Sequence, residues 1–399
     1  MENVIVVVLD CLRYDRSDII WNVLKRYGFS SRMVAIAPAP WTIPSHASML
    51  TGMYPTEHGA HETREKKAGD IEFEVRDNLV NDLRKKGYRT YMFTANAFLT
   101  ERFGFKDFDY VYFNGNVPDR IYLKPEELKV LTEESLIKSP GSVLISLLRK
   151  RRFRLLLKGG LVYLYRKFSE KLGGWPVEKG ISKITAKIKR IEFEEPFLLF
   201  VNLMELHEPY RSEDLRREYS HQLRYLASKL DVFMKVLWDK GFLKDSIVIV
   251  TSDHGQLLGE YGKTGHGIYL YDELIKVPLF ANFPVDGLGY ISHTNLRTFL
   301  LKSIDGSLNV KKLFSEVAFS ESFGSYSWKI KVDPEYDRHK VAIFYDGVKG
   351  VYDVERRMFE FLTDQGYEDE LRVKVERFVK SAKVKALGLK GVKRIRGRL

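Results

Sequence analysis

The sequence of 399 residues has only one cysteine, Cys11, and no long apolar run. A single cysteine excludes an intrachain disulfide and a cysteine-rich zinc module, so nothing in the chain calls for an oxidising compartment. No stretch approaches the ~18 apolar residues that span a bilayer, and the N-terminus lacks the positive region of a signal peptide. We therefore expect a cytoplasmic protein whose 44% of hydrophobic residues supply a globular core.

Acidic residues are scarce in two segments, and these segments carry the positive charge of the chain. The sequence has 65 Lys and Arg against 53 Asp and Glu, a net charge of +12. Residues 149–190 hold 14 basic residues against Glu170 and Glu178, and residues 371–399 hold 11 against Glu376. The rest of the chain is acidic. An anionic partner would therefore contact these two segments rather than the body.

Alternating strand and helix patterns predict a doubly wound α/β body, with a mostly parallel sheet covered by helices on both faces. Most of the strand segments are continuously apolar, as expected of a sheet buried on both faces. They are residues 3–9, 88–95, 196–203, 246–252 and 276–283. Helical patterns at 75–86 and 215–240 each end at a glycine. Short β-like segments at 316–320, 340–345 and 350–354 predict a smaller C-terminal β-containing portion.

These patterns divide the chain into four parts. We expect a catalytic domain over residues 1–310 with a basic helical insertion at 142–190, a strand-rich portion at 311–370 and a basic tail at 371–399. A solvated, partly disordered end is the common outcome for such a tail, although it could also bind nucleic acid or acidic lipid.

The first part of the insertion, residues 142–172, mixes Leu, Phe and Tyr with Arg and Lys at the spacing of an amphipathic helix, with a break at Gly159 and Gly160. It suits either an interfacial helix at an acidic membrane or a helical cap with a solvated basic face.

Carboxylates follow two of the predicted strands directly. Asp10 ends the first strand, and Asp253 follows a later one with His254 beside it. Ligands of doubly wound sheets bind beyond the carboxyl ends of the strands. Either aspartate alone is explained by a turn or a helix cap. Together with the histidine they indicate a site for a divalent cation.

A third stretch, APAPWTIPSHASMLTGMYP, carries a hydroxyl beside a helix start. The prolines hold the chain extended, and Pro44 favours a helix over 45–50. Thr42 is then expected just before the helix N-terminus, where unpaired N–H groups and the positive dipole end favour an alkoxide or a bound oxyanion. The ordinary alternative is a threonine N-cap.

In order and spacing, three stretches together resemble the sulfatase-like branch of the alkaline phosphatase superfamily over about residues 1–285: NVIVVVLDCLRYD, APWTIPSHASMLTGMYPTEHG, and TSDHGQLLGEYG followed by HGIYLYDELIKVPLF. The resemblance implies one divalent metal ion (Mn, Zn, Mg or Ca) held by Asp10, Asp253 and His254, with Thr42 as both ligand and nucleophile. Such a cation lowers the pKa of a coordinated hydroxyl and neutralises an anionic ester. The expected product is a covalent Thr42 ester that water or an acceptor alcohol resolves.

Three residues depart from the sulfatase pattern. Sulfatases use a cysteine or serine that is oxidised to formylglycine, a route closed to Thr42. A threonine resembles the phosphoryl-directed members, such as phosphoethanolamine transferases and phosphodiesterases. His46 stands where sulfatases carry arginine and is a weaker, pH-dependent substitute. Cys11 stands where many sulfatases carry a second aspartate, and a thiol favours manganese, zinc or magnesium over calcium.

The resemblance gives roles to further residues. His207 matches a substrate-contacting histidine, His266 is a candidate general acid, and Lys263 is a weaker candidate for substrate contact. A turn histidine and a solvent-exposed lysine are the ordinary alternatives. Asn96 stands where sulfatases carry Lys and His. His207 and His266 could bind a second metal ion, but the di-metal members normally supply another aspartate near the first histidine, where this chain has Glu205, so we favour a single ion.

Two motif positions are interpreted as structural. Arg13 and Asp15 form part of the family pattern, but an ion pair explains them as well as catalysis does, and His58 is expected to be structural.

The leading hypothesis is a metal-dependent hydrolase that cleaves, or transfers from, a sulfuric or phosphoric ester, with diester or phosphonate turnover exceeding that of sulfate. The alternatives are a phosphotransferase acting on lipid headgroups or glycans, a catalytically weakened protein that binds membranes or polyanions, and a nucleic-acid phosphodiesterase. We expect an anionic ester substrate, no nucleic-acid partner and, at most, peripheral contact with acidic membranes through residues 142–172 and the tail.

Overall fold

A computed structural model describes residues 2–114, 127, 130–131, 140–172, 178–210, 212–304, 307–327 and 332–396. A nine-stranded sheet lies at the centre, a two-stranded ribbon follows its sixth strand, and a separate four-stranded sheet lies near the C-terminus. The strands are β1 Asn3–Leu9, β2 Ser31–Ile36, β3 Arg89–Thr94, β4 Tyr110–Phe113, β5 Phe197–Leu203, β6 Ser246–Thr251, β7 Leu257–Leu258, β8 Thr264–Gly265, β9 Lys276–Ala281, β10 Tyr290–Ser292, β11 Phe314–Ser315, β12 Val317–Ser322, β13 Lys340–Tyr345, β14 Val348–Asp353 and β15 Met358–Leu362.

The order of the central sheet is β11-β10-β2-β9-β6-β1-β5-β3-β4. The strands β6, β1, β5, β3 and β4 are parallel neighbours. By contrast, β9 is antiparallel to both β2 and β6. The predicted mostly parallel, doubly wound sheet is therefore confirmed, and the carboxyl ends of its parallel strands share one edge.

Eleven α-helices lie in the described residues, some on the two faces of this sheet, some against the small sheet and two in the insertion. They are α1 Asp18–Leu24, α2 Thr42–Thr51, α3 Pro55–His58, α4 Leu79–Lys85, α5 Pro140–Arg149, α6 Phe153–Leu172, α7 Ile181–Arg190, α8 Leu215–Asp239, α9 Asp272–Ile275, α10 Leu296–Ser303 and α11 Glu368–Arg396. Side-chain caps fix two of the starts. Asn78 accepts a hydrogen bond from the amide of Asn81, and Asp214 accepts one from the amide of Arg217. As a result α4 begins at Leu79, later than the predicted helix at 75–86.

The two faces of β1 show why its sequence is continuously apolar. Val4, Val6 and Val8 point into one core, whereas Ile5, Val7 and Leu9 point into the other. Successive side chains of a strand point to opposite faces. A strand buried on both sides therefore has no polar alternation.

Two helix boundaries differ from the sequence prediction. The helix predicted over 45–50 begins three residues earlier, at Thr42. In the insertion, the helix runs through Gly159 and Gly160, and the break falls instead at Arg151, whose φ is 51°. A glycine inside a helix costs only about 1 kcal/mol, so packing overrides it.

The basic tail is also a helix rather than a solvated, partly disordered end. Its N-terminal part packs against the small sheet β12–β15 through Leu371, Val375 and Val379. The tail therefore carries an apolar stripe between its charged residues. A count of basic residues does not show such a stripe. Residues 397–399 lie outside the described part of the chain. No helix in the described ranges has an apolar stretch long enough to cross a bilayer.

Candidate active site

The register of β1 and β6 brings Asp10 and Asp253 together. Val8 lies opposite Thr251 in this parallel pair, so two residues further on Asp10 reaches the level of Asp253. Both carboxylates are fully buried. One ligand atom each from Asp10, Asp253 and His254 lie within 4.8 Å of one another. The sheet thus assembles the predicted cluster at its carboxyl edge.

Thr42 is the first residue of α2, not the residue before it. Its Oγ1 lies 3.4 Å from His254 Nε2 and 3.4 Å from Asn96 Nδ2. Trp41 is the N-cap but gives no side-chain cap, so the amides of the first turn are available to an anion. Pro44 fits in this turn because its missing N–H would have had no helical partner.

The surroundings of Asp253 show whether a cation would fit between the carboxylates. Its Oδ2 is buried without a hydrogen-bond partner, whereas buried polar atoms are nearly always paired. Burial and the neighbouring Asp10 raise the pKa of Asp253 to about 7. Burial also acts to raise the pKa of Asp10, but nearby histidines and the Asn96 hydrogen bond outweigh it and lower that pKa. Two adjacent buried carboxylates fit a divalent cation.

His254 is oriented as a ligand would be. Its Nδ1 lies 2.9 Å from the carbonyl oxygen of Gly255. Because a carbonyl oxygen only accepts hydrogen bonds, Nδ1 carries the proton. The lone pair of Nε2 then faces Asp253 Oδ2 at 3.4 Å and Asp10 Oδ1 at 3.8 Å. A backbone partner on the far nitrogen is the usual support of a metal-bound imidazole.

His46 and Cys11 form hydrogen bonds with residues of the cluster and of the start of α2. His46 Nδ1 donates to the carbonyl of Thr42 at 2.9 Å, and burial lowers the pKa of His46, so it holds the start of α2 as a neutral ring. Cys11 Sγ donates to Asp10 Oδ1 at 3.3 Å, and burial raises the pKa of this thiol well above its ordinary value. Cys11 has a φ of 65°, a strained conformation for a residue with a side chain.

His207 and His266 lie beside the cluster. The ring centroid of His266 is 4.5 Å from that of His254 and 5.0 Å from that of His207. Gln256 Nε2 donates to Glu208 Oε1 at 2.7 Å, and this fixes Gln256 Oε1 as the acceptor for His266 Nδ1, also at 2.7 Å. Burial, and then His254 and His207, lower the pKa of His266 well below its ordinary value. His266 is therefore neutral, with Nε2 as a proton acceptor.

Two other sequence candidates, Lys263 and His58, have partners of their own. Lys263 Nζ lies over the rings of Tyr269 and Tyr336, 5.6 and 5.1 Å from their centroids. His58 is buried and pairs with Ser48 Oγ at 3.0 Å, which agrees with a structural role.

Arg13 is saturated by carboxylates. It makes two hydrogen bonds of 2.8 Å to Asp15 and one of 2.8 Å to Glu260. It therefore ties the end of β1 to the turn after β7 by ion pairs, as in the structural interpretation of Arg13 and Asp15.

Glu205 belongs to a helix start rather than to the metal cluster. Its Oε1 accepts hydrogen bonds from the amides of Lys179 and Ile181 at the beginning of α7. It is in none of the potential ligand groups among the described residues. His207 and His266 each belong to a further potential group, Asp10 with Cys11 and His207, and Cys11 with His254 and His266, which share residues with the first group. The single metal ion therefore stays a prediction.

Sequence reasoning missed two polar residues of the site. Asn202 Nδ2 lies 3.3 Å from Asp10 Oδ2 and 3.5 Å from His46 Nε2, and Gln256 orients His266. Asn202 is the one polar residue of β5, FLLFVNL. A polar residue in an otherwise apolar strand was the signal that could have identified it as part of the site.

A buried lysine near His207 was missed as well. Lys179 is 6% exposed, and its Nζ donates to the carbonyl of His207. Burial lowers the pKa of Lys179 to about 8. It lies in the basic segment at 149–190, where a count of charges does not distinguish it from solvated lysines.

With this geometry established, the family can be assigned. Residues 3–298 match the profile of the family described as Sulfatase. The chain belongs to the sulfatase family. Its fold agrees with this assignment, because a phosphonate monoester hydrolase of Agrobacterium radiobacter superimposes on it with a TM-score of 0.61 at 14% identity, covering 100% of this chain and 96% of that one. A 2-O GAG sulfatase gives a TM-score of 0.60 at 14% identity, with coverages of 96% and 92%.

A curated relative adds a local likeness. A low-salt glycan biosynthesis sulfotransferase of Haloferax volcanii is 29% identical over 118 residues, 24% of this chain and 29% of that protein. The match thus spans less than a third of the relative's length. Membership of the sulfatase family, within the alkaline phosphatase superfamily, indicates an enzyme acting on sulfo- or phosphoesters. The family generally binds a divalent metal ion, and the Asp10, Asp253 and His254 cluster suits one.

Proposed function

We propose that this sulfatase-family protein uses Thr42 as the nucleophile to cleave, or to transfer the acid group from, a sulfuric or phosphoric ester. The position of the Thr42 hydroxyl carries the proposal. It lies at the start of α2, 3.4 Å from both His254 Nε2 and Asn96 Nδ2, beside a buried carboxylate with an unpaired oxygen. A structural threonine needs none of these neighbours.

Asp10, Asp253, His254 and Thr42 are the residues that would hold one divalent cation. When bound, the cation lowers the pKa of the hydroxyl and offsets the negative charge of the ester. The mixed carboxylate and imidazole donors, with the protonated Cys11 thiol behind them, suit manganese, zinc or magnesium better than calcium.

The side chains account for the atoms and protons of the first half-reaction. Thr42 Oγ1 attacks the sulfur or phosphorus atom, and the bond from that atom to the leaving alcohol oxygen breaks. His266, neutral in the resting protein, accepts the hydroxyl proton at Nε2 and delivers it to the leaving oxygen. In this cycle the expected general acid first serves as the base.

The second half-reaction returns the enzyme to its starting state. Water or an acceptor alcohol attacks the Thr42 ester, its proton passes to His266, and Thr42 Oγ1 leaves and regains a proton from the imidazolium. The products are the free acid in hydrolysis and a new ester in transfer. The amide groups at the start of α2 stabilise the charge on the transferred group.

A cavity of about 1320 Å³ lies by the loop that follows His266, and although none of the proposed catalytic residues lines it, its walls suit a glycan. Tyr269 and Tyr271, which follow His266 closely in the chain, line it together with Tyr261 and Tyr336. The rings of Tyr261 and Tyr271 stack at 4.1 Å. Its lysines are paired, as in Lys340 with Glu360 at 2.7 Å, so the wall offers aromatic faces and neutralised polar groups. The relative that acts in glycan biosynthesis favours the same substrate class.

A substrate panel tests the proposal. Aryl sulfate, phosphate monoester, phosphate diester and phosphonate monoester are each assayed with Mn²⁺, Zn²⁺, Mg²⁺ and Ca²⁺. We expect diester or phosphonate turnover to exceed that of sulfate, since a threonine nucleophile lacks the formylglycine route. Thr42→Ala should lower turnover at least about a thousandfold, while Thr42→Ser, which keeps a hydroxyl, retains measurable activity. Full turnover by Thr42→Ala with a native circular dichroism spectrum would refute the mechanism.

A further inference from the structure

The helices α5 and α6, here called the basic helix pair (residues 140–172), expose an unusual number of large apolar side chains. Seven of these side chains are between 43% and 68% exposed. They are Leu144, Ile145, Leu148, Phe153, Leu157, Leu161 and Leu164. Exposed apolar residues scattered singly are normal, but a contiguous group marks an interaction surface.

The spacing places these side chains on single faces. Phe153, Leu157, Leu161 and Leu164 recur every three or four residues and form one stripe along α6. Leu144, Ile145 and Leu148 share a face of α5 in the same way. The stripes are separate from the side chains that attach the pair to the rest of the protein.

The attachment uses other residues. Leu147 and Leu155 are 3% and 5% exposed, and Lys158 pairs with Glu127 at 2.7 Å. The pair therefore already has an inward side that is packed. The exposed stripes use other positions of the two helices.

Charge identifies the class of partner. Residues 140–169 contain eight Lys and Arg and no Asp or Glu. Arg149, Arg151, Arg152 and Arg154 are exposed at the turn between the helices, next to Leu148 and Phe153. Apolar side chains bordered by cations fit the interface of an anionic lipid bilayer, where apolar burial and attraction to acidic headgroups add.

We infer that the basic helix pair docks this protein on the surface of an anionic membrane, with the apolar stripes in the headgroup region and the arginines on acidic lipid. The cytoplasmic leaflet is the anionic one, which accords with the expected cytoplasmic location. The inference is independent of the proposed chemistry, since no residue of the pair belongs to the catalytic site.

Flotation with lipid vesicles tests the docking. The full-length protein is mixed with vesicles of phosphatidylcholine alone or of phosphatidylcholine and phosphatidylglycerol. We expect binding to the anionic vesicles only, with release at high salt as the charges are screened. The triple change Arg149→Gln, Arg152→Gln and Arg154→Gln should weaken binding about a hundredfold, because each cation near the surface contributes roughly fivefold.

The apolar stripe is tested in the same assay. Phe153→Ser, Leu157→Ser and Leu161→Ser together should weaken binding about a hundredfold or more. Because these side chains are exposed, the unfolding midpoint should not fall. Two matched controls should bind as the wild type does: Lys85→Gln, Lys106→Gln and Lys244→Gln, with the same change in net charge, and Leu288→Ser with Val232→Ser, which remove exposed apolar groups elsewhere.

Several outcomes would overturn the inference. Equal binding by the helix-pair variants and the wild type would show that another surface docks, and equal binding to neutral vesicles would remove the role of charge. Failure of the wild type to float would reject docking altogether. If instead the apolar variant dissociates a dimer in analytical ultracentrifugation without lipid, the surface joins two copies of this chain. Thr42→Ala should float as the wild type does, so loss of activity and loss of docking are separable.

Discussion

The carboxyl edge of the central sheet and the basic helix pair depart from ordinary folding in opposite directions. At the sheet edge, the carboxylates of Asp10 and Asp253 are fully buried side by side, and Asp253 Oδ2 has no hydrogen bond. On the helix pair, large apolar side chains such as Leu157 and Leu161 are more than half exposed. One region keeps polar atoms unpaired inside the protein, and the other keeps apolar atoms in water.

Both departures are unfavourable for the protein alone, and a ligand of the proposed kind would offset each. A buried carboxylate without a partner carries a desolvation penalty that a cation offsets. An exposed leucine stripe forgoes the free energy of burial, which a lipid surface restores. The difference between the regions points to the ligand proposed for each. A divalent cation suits two buried carboxylates of which one oxygen is unpaired, and an anionic interface suits exposed apolar side chains next to arginines.

The largest expected effect comes from Asp253. Asp253→Asn should lower activity on the order of a thousandfold or more and abolish stoichiometric metal binding. In chelated protein at pH 8, above the pKa of about 7, the same change should raise the free energy of unfolding by about 2 kcal/mol, because it removes one of two adjacent buried charges. Metal analysis and urea denaturation measure the two effects.

Asp353 provides the matched control. It is equally buried, but hydrogen bonds from Arg338 and from the amides of Glu355 and Arg356 outweigh burial and lower its pKa. Asp353→Asn should therefore destabilise the protein and leave metal binding intact. If both variants shift stability in the same direction, the sheet edge does not hold a charge in need of a cation.

A smaller effect is expected at Asn96, which connects the two reacting parts of the site. Its Nδ2 lies 2.9 Å from Asp10 Oδ2 and 3.4 Å from Thr42 Oγ1. Asn96→Ala should lower kcat by roughly 10- to 100-fold, in the range for groups that orient metal ligands. Asn295→Ala, which like Asn96→Ala removes three side-chain hydrogen bonds but away from the site, should alter stability and not kcat. Equal kcat for both variants would assign Asn96 to structure alone.

The sequence sufficed to predict residues whose place follows from strand periodicity. Asp10 and Asp253 end apolar strands, and parallel strands present their carboxyl ends at one edge, so their meeting was predictable without coordinates. The family pattern supplied Thr42 and His254. The domain limits, and the catalytic roles of the named residues, stay predictions.

The features of the site and fold that the sequence did not predict depend mostly on tertiary contacts. The tautomer of His266 follows from the orientation of Gln256, which Glu208 fixes across a loop. The first turn of α2 extends to Thr42 because the chain enters through an extended Trp41, which the spacing of prolines does not specify. The packed stripe of α11 was hidden by its charge. For His266 and for α11, a partner distant in sequence decided the outcome.

The last expected effect is on stability alone and concerns Glu62, a buried carboxyl that lies against Trp41, the residue before Thr42. Its Oε2 accepts a hydrogen bond from Trp41 Nε1 at 3.0 Å, and its Oε1 has no partner. Burial raises the pKa of Glu62 from 4.5 to about 8. Between these values the folded protein keeps a proton that the unfolded chain releases. The free energy of unfolding should therefore fall with rising pH, by about 1.4 kcal/mol per pH unit from this group.

Glu62→Gln should remove this pH dependence of the free energy of unfolding. It tests whether a buried carboxyl with an unpaired oxygen destabilises the protein, as the comparison of the two regions assumes. The stability of the variant relative to the wild type should grow from pH 5 to pH 8, measured as urea midpoints in chelated protein. Glu213→Gln, at an exposed carboxylate, should follow the wild type at every pH. Parallel curves for Glu62→Gln and the wild type would mean that Glu62 is already paired in solution. An unpaired carboxylate oxygen such as Glu62 Oε1 would then not mark a ligand site by itself. The proposed cation site would then be supported by the close approach of Asp10, Asp253 and His254.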